Sequence, residues 1–245
     1  MALTSAADLN NSTSGKLVKL IEANSIAMKH GRVQYMQQDR TSVLLPVLAT
    51  SAVAESTLET TVITATDPSL LPAGGIFQSY KARVTVSSEF QADSVDMPWA
   101  DLASVSIARR IDADCLANAS LASTLQAGVL SAATLAQGVA ALPAEDLGDA
   151  ALVMSPSQAA AVHGLMLSDG TVKGLPVYWT DQHASGIGGV LMSMKNLMVV
   201  VAKSGFSMSK DDQGGAMDDV LGFVYRARLV ATTVTGAAIV TFANA

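Results

Sequence analysis

The sequence predicts an α+β fold, with helices and strands segregated along the chain rather than regularly alternating. Three observations carry this. Residues 80–88 alternate Ala82, Val84 and Val86 with Lys81, Arg83 and Thr85, the period of two of a strand. In 98–119, Trp99, Leu102, Ala103, Ile107, Ile111 and Cys115 recur at helical spacing, which predicts a helix of about 30 Å. Residues 223–231 alternate again, with Phe223, Tyr225, Ala227 and Leu229 on one face and Val224, Arg226 and Arg228 on the other.

The remaining elements follow in order. Residues 1–15 are rich in Asn, Ser and Thr and read as an arm. Residues 15–29 place Leu17, Leu20, Ile21 and Met28 on one helical stripe, with Gly31 as C-cap. Within 41–80, Val43, Leu44, Leu45, Val47, Val53, Val62 and Ile63 favour strands and a series of β-branched polar threonines suggests that these are exposed on one face; 67–68 and 72–75 carry turn residues, so a two-stranded excursion with little core of its own is expected. Asp96 or Met97 is the expected cap of the long helix, with Pro98 in its first turn. Residues 121–142 are rich in Ala, Ser, Thr, Leu and Gly, and read as short helices and turns. A strand at 151–154 leads into Ser155-Pro156, and Gln158 completes a capping box for a helix to 165. Residues 173–178 turn into a strand. Gly186, Gly188 and Gly189 read as a flexible link or a tight loop, and 190–194, 197–202 and 206–209 read as strands. Residues 211–219 form an acidic loop, and 232–242 continue the β character of 223–231.

Composition narrows the function. Of 245 residues, 50% are hydrophobic and only 15% charged, which points to surface buried against other subunits. The net charge of −6 divides equally between 1–120 and 121–245, with no basic stripe to grip a nucleic-acid backbone. One cysteine excludes an intrachain disulfide and a multi-cysteine zinc site. The first ten residues lack the pattern of a secretory signal. Residues 115–144 are uncharged, but Ser, Thr, Asn and Gln interrupt them, so no membrane span is expected.

Catalytic motifs are absent. Residues 10–17 imitate a phosphate loop, but Asn10 and Leu17 stand where Gly and Ser/Thr are required. No Gly-x-Ser-x-Gly and no Gly-x-Gly-x-x-Gly occurs. His30, His163 and His183 form no i,i+4 ligand pair, and the carboxylates of 211–219 lack the pattern of a calcium loop. No cofactor or metal is expected. The one enzymatic alternative is a small hydrolase with a site near His163, His183 and Asp181.

Three passages carry a resemblance. Residues 83–94, Arg-Val-Thr-Val-Ser-Ser-Glu-Phe-Gln-Ala-Asp-Ser, form an apolar strand followed by Ser-x-Glu and an acidic-Ser close. Residues 152–156 are Leu-Val-Met-Ser-Pro, and 167–177 run from Leu-Ser-Asp-Gly to Gly-Leu-Pro-Val ahead of Met-Val-Val-Val at 198–201. In order and spacing they resemble the major capsid protein family of tailed double-stranded-DNA bacteriophages, the Hong Kong 97 type. The resemblance covers about residues 80–242.

It implies an α+β Hong Kong 97-like capsid fold: a peripheral domain with a spine helix, an axial domain, an extended two-stranded loop and a short N-terminal arm. The expected division is 1–40 for the arm and helix and 41–79 for the extended loop. The peripheral domain with its spine takes 80–125, the axial domain 126–222, and peripheral closing strands 223–245. The implied function is a shell subunit that assembles as hexamers and pentamers around packaged double-stranded DNA, without sequence-specific DNA binding. A separate scaffolding protein, a portal protein and a decoration protein are implied partners. The implied location is the virion, assembled in the host cytoplasm. An encapsulin-like cellular compartment is the alternative within the same fold. Some family members cross-link through a lysine on the extended loop, but residues 53–79 contain none, so non-covalent contacts are expected. Glu55, Glu59, Asp67, Arg109, Arg110, Arg226 and Arg228 are the candidates for them.

Overall fold

The computed structural model describes residues 13–48, 70–87, 99–167, 169–211, 220–234 and 238–244. The N-terminal amphipathic stripe is helical but broken: α1 (Thr13–Asn24) ends at Ser25 and α2 (Ile26–His30) restarts behind it. Ser25 is extended and its hydroxyl accepts the Met28 N–H, an N-cap in mid-stripe that the apolar spacing does not reveal. Strands β1 (Arg32–Tyr35), β2 (Ser42–Leu48), β3 (Leu70–Ile76) and β4 (Gln78–Ser87) precede the spine α3 (Trp99–Leu121). Then come β5 (Leu125–Val129), α4 (Ala132–Ala141), α5 (Ala144–Leu147), β6 (Ala150–Met154), a 3₁₀ turn (Pro156–Gln158) and α6 (Ala159–His163). The chain closes with β7 (Val177–Trp179), β8 (Ile187–Ser193), a second 3₁₀ turn (Met194–Asn196), β9 (Leu197–Asp211), β10 (Val220–Thr233) and β11 (Ile239–Ala243).

Among the described residues the strands form three β-structures. A four-stranded sheet has the order β1-β9-β10-β4, a five-stranded sheet the order β5-β11-β8-β6-β7, and β2 pairs with β3 as a separate ribbon. The spine lies between the sheets. Ala103, Ile107, Ala108, Ile111, Cys115 and Ala119 are buried along it and share one core with α1, with Tyr80, Tyr225, Ala227 and Leu229 of the four-stranded sheet, and with Ala151, Val153, Val190 and Met192 of the five-stranded one. The other face of the five-stranded sheet buries Leu152, Met154, Leu191, Val240 and Phe242 against Leu135 of α4. β6 is therefore buried at every position, which is why it reads as an unbroken apolar run.

Several expectations are corrected. Residues 223–245 contribute to two sheets, a division the sequence pattern does not show: β10 pairs with β9 and β4, while β11 pairs with β8 and β5. β9 pairs with β1 and β10. Residues 121–142 contain a strand, β5, held by its parallel pairing with β11, a long-range contact with no local signature. The capping box at Ser155 does not form. Ser155 accepts the Ser157 N–H, the turn is 3₁₀, and Gln158 is buried with its Nε2 donating to Asn244 at 2.5 Å. Gly188 and Gly189 lie within β8 rather than in a loop. A Cβ on Gly188 would meet the Gln158 side chain at 2.9 Å, so the glycine makes room for that buried amide. Leu102, expected on the buried stripe of the spine, is 58% exposed. Asp96, Met97, Pro98 and the Trp99 side chain lie outside the described residues, as does 212–219 of the acidic loop.

Candidate assembly surface

The ribbon begins where the expected excursion begins and is built in register from Ser42 opposite Ile76 to Leu48 opposite Leu70. Its root is fastened on one face only. Val43 is buried and Leu45 packs against the core, whereas Leu44 and Ile76, which share the opposite face by register, are 74% and 73% exposed. Gly74 is required at the root because a Cβ there would overlap the Val43 carbonyl, and a Cβ on Gly75 would touch Val230 of β10 at 3.3 Å. Pro46 faces Pro72, so neither member of that pair donates a backbone hydrogen bond.

A groove of about 320 Å³ opens between this root, the spine and the end of β10. Its polar wall is Tyr80, whose hydroxyl donates to Asp114 at 2.8 Å, and Arg110, paired with the other oxygen of Asp114 at 3.0 Å. Burial, followed by that carboxylate, holds the Tyr80 hydroxyl well above the usual phenol range. Asn118 adds a bond to the Ala231 carbonyl at 3.2 Å, tying the spine to β10.

The N-terminal helices are fixed to the spine by one buried carboxylate. Asp112 accepts the Ser25 hydroxyl at 2.7 Å and the N–H groups of Ile26 and Ala27 at 3.0 Å each, so it caps α2 from outside. Burial pushes the Asp112 carboxyl up, and these three donors oppose it.

The sequence-predicted contact residues fall into three groups. Glu55, Glu59 and Asp67 lie outside the described residues. Arg110 and Arg228 are engaged within their own chain: Arg228 sits 3.7 Å from Asp39, donates to the Arg40 carbonyl at 3.0 Å and lies over the Phe77 ring. Arg109 and Arg226 are exposed. Sequence reasoning missed Leu44, Ile76 and Asp112. The period of two through 42–48 places Leu44 on the face opposite Val43, but nothing local tells which face is covered.

The histidines are dispersed. His163 is exposed at the end of α6. His30 stacks on Tyr178 with ring centroids 4.2 Å apart. His183 follows β7, and neither ring nitrogen has a well-formed hydrogen-bond partner among the described residues. Burial pulls it down to about 4, a trend that the nearby Met154 backbone partly offsets. Asp181 accepts from Gln182 at 2.5 Å, and that bond, with some help from Arg109, holds its carboxyl low. Among the described residues, then, no base–carboxylate relay joins these side chains, and no three His, Cys, Asp or Glu side chains group to hold a metal ion. No helix among them is long and apolar enough to cross a membrane.

No family model and no curated protein matches the chain. Solved structures do. The capsid of an empty GTA particle, computed with C5 symmetry, is 18% identical and aligns over 91% of this chain and 90% of its own with a TM-score of 0.66. A virus-like particle from Pyrococcus furiosus is 14% identical over 92% and 95% of the two chains, TM-score 0.65. The capsid of cyanophage P-SCSP1u is 11% identical over 88% and 86%, TM-score 0.59. The chain has the Hong Kong 97-type capsid fold.

Proposed function

We propose that the protein is the major capsid protein of a tailed double-stranded-DNA phage or a related particle: a structural subunit that assembles into a closed shell around DNA. The observation that carries this is a full-length fold match to capsid subunits, with about nine-tenths of both chains aligned. The unpartnered Leu44–Ile76 face and the low charge support it, since both call for burial against neighbours. In this reading the four-stranded sheet and α3 form the peripheral domain and the five-stranded sheet the axial domain, which places β9 in the former and β11 in the latter. Subunits join as hexamers and pentamers of an icosahedral shell in the host cytoplasm. A scaffolding protein, a portal protein and a decoration protein are its expected partners. Repeating heterologous contacts close the shell, and they are non-covalent, because residues 53–79 offer no lysine.

A compartment shell encoded by a cell is the second reading, favoured by the likeness to the Pyrococcus furiosus particle. Electron microscopy of purified particles with analysis of their contents separates the two. Shells with a unique portal vertex and nuclease-protected DNA are expected; shells filled with a cargo protein support the compartment, and a monomer with hydrolytic turnover overturns both. Denaturing electrophoresis of the particles should give one band at 25.2 kDa rather than a covalent ladder.

A further inference from the structure

The five-stranded sheet ends on a short edge. β7 is three residues long and pairs with β6 alone. β6 is apolar and buried at every position, so β7 covers a strand edge that would otherwise lie open. The loop that follows, 180–186, is tied to the rest of the sheet at its ends. The Thr180 N–H donates to the Met154 carbonyl at 2.8 Å, and the Gly186 carbonyl accepts from the Asn244 N–H at 2.9 Å. Between those ends the hydrogen bonds among the described residues are local ones, joining Gln182 to Thr180 and Asp181, and Ile187 to Ala184. His183 sits in the middle of the loop. Both of its ring nitrogens are buried without a well-formed partner. The loop is therefore closed by burying an imidazole that has to be neutral. On the strand itself, Tyr178 carries the stack with His30 that links α2 to β7.

We propose that His183 is an acid-released latch: its neutral ring holds loop 180–186 closed, and its protonation frees the loop and β7 together, parting Tyr178 from His30 and baring the edge of β6. The inference goes beyond the shell reading and does not depend on it. A charged ring has no well-formed acceptor among the described residues in the closed position. The strands β6 and β8 contain no charged residue. Asp181, on the same loop, is engaged by Gln182 and feels the charge of Arg109 on α3. Lys29, beside His30, disfavours a cation at the Tyr178 stack. An imidazolium at 183 is therefore solvated only when the loop opens. Burial holds the closed ring neutral down to about 4, a trend the Met154 backbone partly offsets, whereas a ring in water titrates at 6.5. Between those values the open form binds a proton that the closed form does not, so acid shifts the population toward open. From pH 7 to pH 5 the open population should rise about twentyfold.

The test is hydrogen exchange of the full-length, unassembled subunit, read by mass spectrometry at pH 7 and pH 5 and corrected for the intrinsic exchange rate at each pH. Peptides covering 177–186 should open about twentyfold more often at pH 5. Peptides covering 190–193 and 239–243, in the middle of the same sheet, should stay closed over the same interval. His183→Gln and His183→Phe, neither of which titrates, should each hold the opening of 177–186 constant within about twofold between the two pH values. Wild-type opening that does not change with pH overturns the latch, as does a rise of equal size in either variant. Loss of protection that runs equally through 177–186, 190–193 and 239–243 overturns it too, because the whole sheet then unfolds as one unit. Should neither variant fold, the size of the wild-type response and its confinement to 177–186 decide.

Discussion

The Asp112 carboxylate, midway along the spine, accepts the Ser25 hydroxyl at 2.7 Å across 87 residues of sequence. Two backbone N–H groups of α2 complete its coordination, so a single side chain decides where the N-terminal helices sit. Asp112→Ala leaves those buried donors without an acceptor and should cost about 2–4 kcal/mol. Chemical denaturation of the unassembled subunit measures it; a loss below about 1 kcal/mol would show that water or a neighbouring group replaces the carboxylate.

His183 makes the subunit acid-sensitive. Its folded-state pKa is lowered from 6.5 to about 4 by burial. Between those values the unfolded chain binds a proton that the folded chain does not. The stability from this group is therefore complete above about pH 6.5 and is lost as pH falls toward 4, by up to about 3 kcal/mol. His183→Gln should remove that component, so the wild-type-minus-variant difference should decline steadily between pH 7 and pH 4. A constant difference across that range would place the imidazole in water.

Gly74→Ala pushes a Cβ into the Val43 carbonyl at the ribbon root. The backbone has to move, at about 1–3 kcal/mol. Gly148→Ala is the control, because a Cβ there meets nothing within 4 Å, and it should change stability by less than about 0.5 kcal/mol. Equal melting temperatures for the two variants would sink the close approach.

Leu44→Asn and Ile76→Thr alter side chains that the single subunit leaves exposed. Subunit stability should stay within about 0.5 kcal/mol of wild type, while light scattering should record slower assembly and a higher critical concentration. Unchanged assembly would free this face of any interface role.

Local periodicity made most elements legible. The strand at 80–88, the spine and the strand at 223–231 each needed only a clean period of two or 3.6, and the order of motifs pointed to the fold. Three things escaped. β5 is a strand because β11 pairs with it, more than 110 residues away, and its own glycine-containing sequence favours nothing. The split at Ser25 depends on Asp112, a partner no window around Ser25 contains. The crossing of β11 into the other sheet follows a break after Thr233, where composition does not change. On the candidate surface the charges of Lys81 and Arg226 were plain in sequence, but their direct opposition appears only with the register.

β11 occupies the second position of a five-stranded sheet, between β5 and β8, although it follows all the other strands of that sheet in the chain. Until residue 243 has left the ribosome, β5 has no partner and one edge of β8 stays open. A nascent subunit therefore cannot complete its five-stranded sheet, whatever the state of its spine and ribbon. Because pairings this distant in sequence form slowly, completion of the five-stranded sheet waits on β11, and a chain cut short before residue 239 lacks the strand that joins β5 to β8.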